Sequence, residues 1–303
     1  MTTPSWLWIA FTLTAAGAQT LRNAFQHDLV DRIGAPAATF VRFLFGFPFA
    51  LAFLALASVA TGAPPPAPDA RALAIVMVAS IAQTLATGLM LLAMRERSFI
   101  VATALTKTEA VQIVVFGMLF MGDRATGGLL LAVALATLGV LVVSLPATAA
   151  LARDADSARR AALYGLASAA SFGVSTVGFR EGVLALHASS FFIAAAVVLA
   201  LALTMQTVCI LIYLALFDRA ALRAIAREWR GSLSAGFLGA FATLFWFLAL
   251  ALESAARVRT LGLAEMMFAQ LVTRRMFRQR TTPLEWAGMA LIAAGVALAL
   301  NGG

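Results

Sequence analysis

The chain has 303 residues and a formal charge of +8, with 62% hydrophobic and only 12% charged residues. A soluble protein carries about 25% charged residues, so this composition, with a mean hydropathy of +0.93, reads as a membrane protein of several spans. The basic residues are scattered in short clusters between apolar runs, so no nucleic-acid partner is expected. The single Cys209 excludes an internal disulfide and any Cys-rich metal or cluster site.

Apolar runs near 20 residues can cross about 30 Å of hydrocarbon as helix, and ten such runs are read here. They are continuous rather than alternating, which favours helices over a barrel. The first, 5–21, has no basic segment before it and leads at once into more membrane-like sequence, so no cleavable signal peptide is expected. Around its end, "GAQTLRNAF" offers Gln19, Arg22 and Asn23, with Gln19 and Asn23 four apart on one face. The second run, 37–60, contains Arg42, and "TGAPPPAPDAR" separates it from the third, 72–94. In the third, Gln83 and Thr87 make another i, i+4 pair. Polar pairs of this kind either meet substrate or bond neighbouring helices.

The fourth run, 99–121, is odd because Lys107 and Glu109 interrupt it. An ionisable side chain at mid-membrane costs roughly 2.5–3.5 kcal/mol on insertion scales and faces the protein interior or a wet cavity. Two positions apart on a helix, these two point about 200° from one another and cannot pair directly. They need partners on other helices. The fifth run is 127–146. After "ARDADSARR" come the sixth, 161–179, the seventh, 189–217, and the eighth, 232–252. The eighth carries "LFWFLAL", whose Trp246 is either an aromatic wall for substrate or a packing residue. The ninth, 260–276, opens near Glu265, which is either a functional carboxylate or one satisfied by Arg257, Arg259 or a helix terminus. The tenth is 283–301. Trp6, Trp8, Trp229 and Trp286 lie near span ends and suit the interfacial belt.

Sliding the chain against itself by 156 residues places Glu109 on Glu265, Gly139 on Gly295, Arg124 on Arg280 and Gly17 on Gly173. The expected domains are therefore two five-helix repeats, 1–150 and 151–303. An odd number of helices makes the repeats cross the membrane in opposite directions. The fold class expected is an all-α integral membrane protein, with ten transmembrane helices as two inverted five-helix repeats. The glycines under the repeat are expected to permit close helix approach. Loops after spans one, three, five, seven and nine, together with Arg274 and Arg275 at the end of span nine, hold 15 of the 22 Lys and Arg residues. By the positive-inside rule that side is cytoplasmic and both termini lie outside.

Ten short helices in two halves resemble the drug/metabolite transporter superfamily, and in particular its EamA-type permeases. The resemblance covers nearly the whole chain. Its local match is the fourth span with its following loop, where the family often has Glu-Pro and then Gly-Glu-Arg-Leu-Thr. Here the counterparts are Glu109-Ala110 with "GDRAT", and Glu265-Met266 with "RQRTT"; both lack the proline. The resemblance implies secondary transport in the inner membrane, usually export of small metabolites such as amino acids, or of drugs. It also implies a central cavity lined by helices one, three, four, six, eight and nine. Aromatic amino acid exporters of the family carry aromatic and Pro-rich sequence in the fourth helix, which "LTKTEAVQ" does not match. The family is commonly drawn with cytoplasmic termini, whereas the Arg distribution here says the reverse.

Candidate residues for substrate binding or coupling are Glu109, Glu265, Lys107, Gln19, Asn23, Gln83 and Trp246, with protons as a coupling ion because a desolvated carboxylate can titrate near neutral pH. No metal or cofactor is expected. His27 and His187 are read as loop residues without matched ligand spacing, and no GxxxxGK[ST] loop occurs. The competing readings are a membrane enzyme acting on lipid, which would want clustered His or acids near one face, and a passive channel.

Overall fold

The computed structural model describes residues 4–96, 105–122, 126–149, 155–277 and 282–301, and these are helical apart from short connections. The helices are α1 (Leu7–Ile33), α2 (Ala35–Leu44), α3 (Gly46–Thr61), α4 (Ala70–Glu96) and α5 (Glu109–Phe116), the last running into a π-helical turn, Gly117–Met121. Then follow α6 (Gly127–Ala149), α7 (Ala155–Ala185), α8 (Phe191–Phe217), α9 (Arg219–Arg227) and α10 (Trp229–Leu252). The chain closes with α11 (Ala255–Gly262), α12 (Glu265–Phe277) and α13 (Pro283–Asn301).

Seven segments among the described residues are long and apolar enough to cross a membrane, and they coincide with expected spans two, three, five, six, seven, eight and ten. The other three are helical but differ in kind. Span one is a 27-residue helix whose second half is polar. Spans four and nine are each broken, span nine close to its expected start, and the beginning of span four lies outside the described residues. These three carry Gln19, Lys107, Glu109 and Glu265. Apolarity gives way where the candidate residues sit.

Local chemistry sets the boundaries. Pro48 has no N–H to offer the Leu44 carbonyl, and its ring crowds that carbonyl, so span two divides at Phe45 into α2 and α3. The α1–α2 turn is a single residue, Gly34, at φ 82°, where a side chain would be strained. Asp69, Ser190, Asp218 and Ser254 accept from the first-turn amides of α4, α8, α9 and α11. The last residues of the two matched loops, Thr126 and Thr282, do the same for α6 and α13. Thr282 completes a capping box, because Glu285 accepts in return from the Thr282 amide at 2.7 Å. The threonine that closes each loop motif is thus a helix cap.

The chain packs as two compact units, each drawing on both sequence halves. One comprises Met1–Ile81 with Gly178–Leu252, the other Ala82–Val177 with Glu253–Gly303. In the first, α1 lies antiparallel along α10: Leu29 meets Gly231 near one end and Gln19 bonds Trp246 toward the other. Phe11, Phe191, Phe192 and Phe245 form an aromatic cluster there, with ring centroids 5.7–6.3 Å from Phe11.

In the second unit the repeat becomes visible as geometry. A Cβ on Gly139 of α6 would lie 2.6 Å from the Gly288 oxygen and 2.7 Å from the Ile292 nitrogen of α13. A Cβ on Gly295 would lie 2.6 Å from the Ala132 oxygen and the Ala136 nitrogen of α6. The 156-residue shift takes Gly139 to Gly295, and Ala132 and Ala136 to Gly288 and Ile292, so each contact is the counterpart of the other. The two equivalent helices therefore run antiparallel about a local pseudo-two-fold, as an inverted repeat requires. Gly17, by contrast, does not mediate a close approach; a Cβ there has open space. Trp6, Trp229 and Trp286 are half exposed or more, as an interfacial belt requires, but Trp8 is buried. His27 lies within α1 rather than in a loop.

Candidate functional site

The break in span four falls on Lys107 and Thr108, and the break in span nine on Leu263 and Ala264. These are the same positions under the 156-residue shift. The hydrogen bonds match as well. The Thr108 amide donates to the Leu105 oxygen as Ala264 does to Leu261, and Ala110 to Lys107 as Met266 does to Leu263. Val111 to Thr108 repeats as Met267 to Ala264. All are i to i−3 bonds, so both helices tighten for one turn and restart. No proline is needed for this. The absent Glu-Pro proline therefore does not remove the discontinuity.

Glu109 and Glu265 are the first residues of the restarted helices α5 and α12. Each carboxylate sits in the first turn, where the helix dipole favours negative charge by about 0.3–1 kcal/mol. Both are buried, at 8% and 6% exposure. Each is met by a cation from the other repeat. Lys107 Nζ lies 2.6 Å from Glu265 Oε2. Arg259 Nη1 lies 3.6 Å from Glu109 Oε1, and its Nη2 donates to Thr176 Oγ1 at 2.9 Å. The two charges of span four therefore find partners across the interface with span nine.

Arg259 falls one residue before the expected ninth span, 260–276. It lies within α11, and its side chain is largely buried. The repeat conceals it, since the position equivalent to Arg259 is Thr103. Its neighbour Arg257 bonds Glu253 at 2.9 Å and the Ala299 carbonyl of α13 at 3.2 Å. Gln83 is partly buried, and its backbone carbonyl accepts from the Thr87 hydroxyl. Among the described residues no group of three His, Cys, Asp or Glu could hold a metal ion.

The remaining candidates belong to the first unit. The Trp246 indole N–H donates to Gln19 Oε1 at 3.1 Å, and Trp246 is only 5% exposed. Asn23 is exposed and accepts from Arg22 Nη2 at 2.8 Å. Gln19 and Asn23 share a face of α1 but have different partners.

Discontinuous helices with charged groups at their breaks recur among multi-pass, all-helical membrane proteins that carry small molecules. The chain belongs to the EamA-like transporter family, whose model matches it twice, over residues 6–145 and 159–301. It is thus a membrane protein of two EamA halves, a small-molecule transporter and not an enzyme. A crystal structure of another protein, 17% identical, aligns over 96% of this chain and 96% of its own at a TM-score of 0.72, a likeness in fold. No curated protein matches the chain.

Proposed function

We propose that the chain is a secondary transporter that exports small metabolites, such as amino acids or drugs, from the cell across the inner membrane. In this reading it works by alternating access around a central cavity, with residues 1–150 and 151–303 as its two inverted repeats and both termini outside. Transport is coupled to protons through Glu109 and Glu265. The observation that carries this reading is the pair of carboxylates at equivalent helix breaks, each balanced by a cation of the other repeat. A carboxylate that takes up a proton releases its cation, and a carboxylate that loses one recovers it. That exchange couples proton occupancy to the contact between spans four and nine.

The test begins with a stabilisation screen of the purified chain against amino acids, nucleosides and cationic drugs, and any hit is reconstituted in proteoliposomes. Glu109→Gln keeps the side-chain volume and leaves Arg259 its bond to Thr176. Glu265→Gln is made together with Lys107→Met, so that no buried ammonium is stranded. Both proteins are expected to lose uphill flux driven by a pH gradient while retaining substrate exchange. Folded variants with unchanged pH-driven flux would sink the coupling role. Flux that never saturates would favour a channel.

A further inference from the structure

The arginine-rich helix α9 takes no part in the coupling scheme. It joins α8 to α10, two segments long and apolar enough to cross a membrane, so it lies where the chain leaves the bilayer and re-enters it. Backbone angles depart from helical values at Asp218 (φ −148°, ψ 67°) and at Glu228 (φ −90°, ψ 32°), so α9 continues neither span. Both of its ends carry exposed apolar side chains: Phe217 is 76% exposed and Trp229 50%. Aromatic residues suit the zone between acyl chains and head groups.

Arg219, Arg223 and Arg227 are four residues apart in turn, so they form one stripe about 80° wide along the helix. The stripe lies opposite Ile225, which is two residues and so about 200° on from Arg223. Ile225 is 1% exposed and holds α9 against the protein, whereas all three arginines are exposed. Arg230, also exposed, has its guanidinium 5.4 Å from the Trp229 ring centroid. Local bonds orient these charges without neutralising them. Arg219 Nε donates to the Ala215 carbonyl of α8 at 2.8 Å, and Arg223 Nε to the Arg219 carbonyl at 3.3 Å. The acids of the segment are engaged elsewhere. Asp218 accepts from the Ala221 amide at 2.9 Å, and Glu228 pairs with Arg32 at 3.3 Å. Among the described residues none of the four arginines is in an ion pair with a carboxylate.

A row of basic residues at a bilayer surface attracts anionic lipid, and guanidinium forks match phosphate oxygens. A basic helix face beside exposed aromatic residues is the pattern of a helix lying in the interface. We infer that α9 binds anionic phospholipid of the adjoining leaflet, with Arg219, Arg223 and Arg227 on the phosphates and Phe217 and Trp229 against the acyl chains. The apolar flanks make the ligand a lipid rather than a soluble phosphate, which could use only the arginines.

The full chain in maltoside detergent is titrated with dioleoyl phosphatidylglycerol and, separately, with dioleoyl phosphatidylcholine, at one ionic strength. Thermal midpoint is the readout. The two lipids share their acyl chains, so a difference between them reports the head-group charge. Phosphatidylglycerol is expected to raise the midpoint saturably and beyond phosphatidylcholine, and glycerol 3-phosphate to leave it unchanged. Replacing Arg219, Arg223 and Arg227 together by Gln is expected to weaken the apparent affinity for phosphatidylglycerol at least tenfold. The same three changed to Lys are expected to stay within about threefold of the parent, since an ammonium keeps the charge but cannot reproduce the Nε bonds. Arg71→Gln, at an exposed arginine of α4, is expected to have no effect. If the triple Gln variant fails to fold, Arg223→Gln/Arg227→Gln decides, because it leaves the Arg219 bond to α8 in place; it is expected to weaken binding at least threefold. Phosphatidylglycerol no better than phosphatidylcholine would overturn the inference, as would glycerol 3-phosphate acting as well as the lipid. Parent affinity in the triple Gln variant or, where that fails to fold, in the double variant would overturn it too. A triple Lys variant as weak as the triple Gln would reject a charge-reading surface in favour of a structural role for the arginines.

Discussion

Lys107 and Glu265 form a buried ion pair, and such a pair behaves asymmetrically under mutation. Removing one partner strands the other charge and costs about 3–5 kcal/mol, whereas neutralising both is far milder. Lys107→Met is therefore expected to destabilise the protein by about 3 kcal/mol, and Lys107→Met/Glu265→Gln to recover most of that loss. Denaturant midpoints of the two proteins in detergent check the cycle. A double variant as unstable as the single would mean that the pair does not exist as an interacting unit. At this scale the sequence was partly legible. Burial cost and the i, i+2 spacing required Lys107 and Glu109 to find separate partners, and they do. The partners themselves were not legible, because Arg259 has no counterpart in the first repeat and lies beside an apparent loop. Trp246 and Gln19 were both singled out, but nothing in their separate neighbourhoods shows that they bond each other across 227 positions of chain.

The helices teach a related lesson. Runs of apolar residues located most spans, and expected span ten coincides with α13 in both bounds. Hydropathy does not see where a helix ends in water, so α1 continues through Arg22, Asp31 and Arg32 well beyond its expected end at 21. Nor does it see an interruption such as Phe45 or Lys107–Thr108, where composition stays apolar on either side. Glycines were read as a class, and the structure separates them. Gly139→Ala would force α6 from α13, because its Cβ would meet backbone atoms at 2.6–2.7 Å; overpacking of this kind costs about 1–3 kcal/mol. Gly17→Ala meets nothing within 4 Å and is expected to stabilise α1 by about 0.5–1 kcal/mol, since glycine is the poorer helix former. Thermal midpoints of the two variants should move in opposite directions. A Gly139→Ala protein as stable as the parent would contradict the close backbone contact.

For the whole molecule, the bias of Lys and Arg toward alternate loops is the argument for orientation. A reporter joined after Gly303 is expected to behave as periplasmic, and one inserted between Arg274 and Arg280 as cytoplasmic. The opposite pair of results would reverse the orientation without touching the helices. The two-half plan was legible because rare residues recur at one offset, Glu on Glu inside a span being the clearest. The grouping into compact units was not, since α4 and α7 each belong partly to both, and no local pattern marks the residue at which a continuous helix changes its neighbours.

The crossed ion pairs carry a consequence for ancestry. Each repeat contributes one carboxylate and one cation, and the carboxylates occupy equivalent positions while the cations do not. If two copies of the first repeat were set about the same local two-fold, each Lys107 would face the other copy's Glu109. Two copies of the second would likewise set each Arg259 against the opposite Glu265. Either repeat alone thus holds a complete set of charges for a self-complementary dimer.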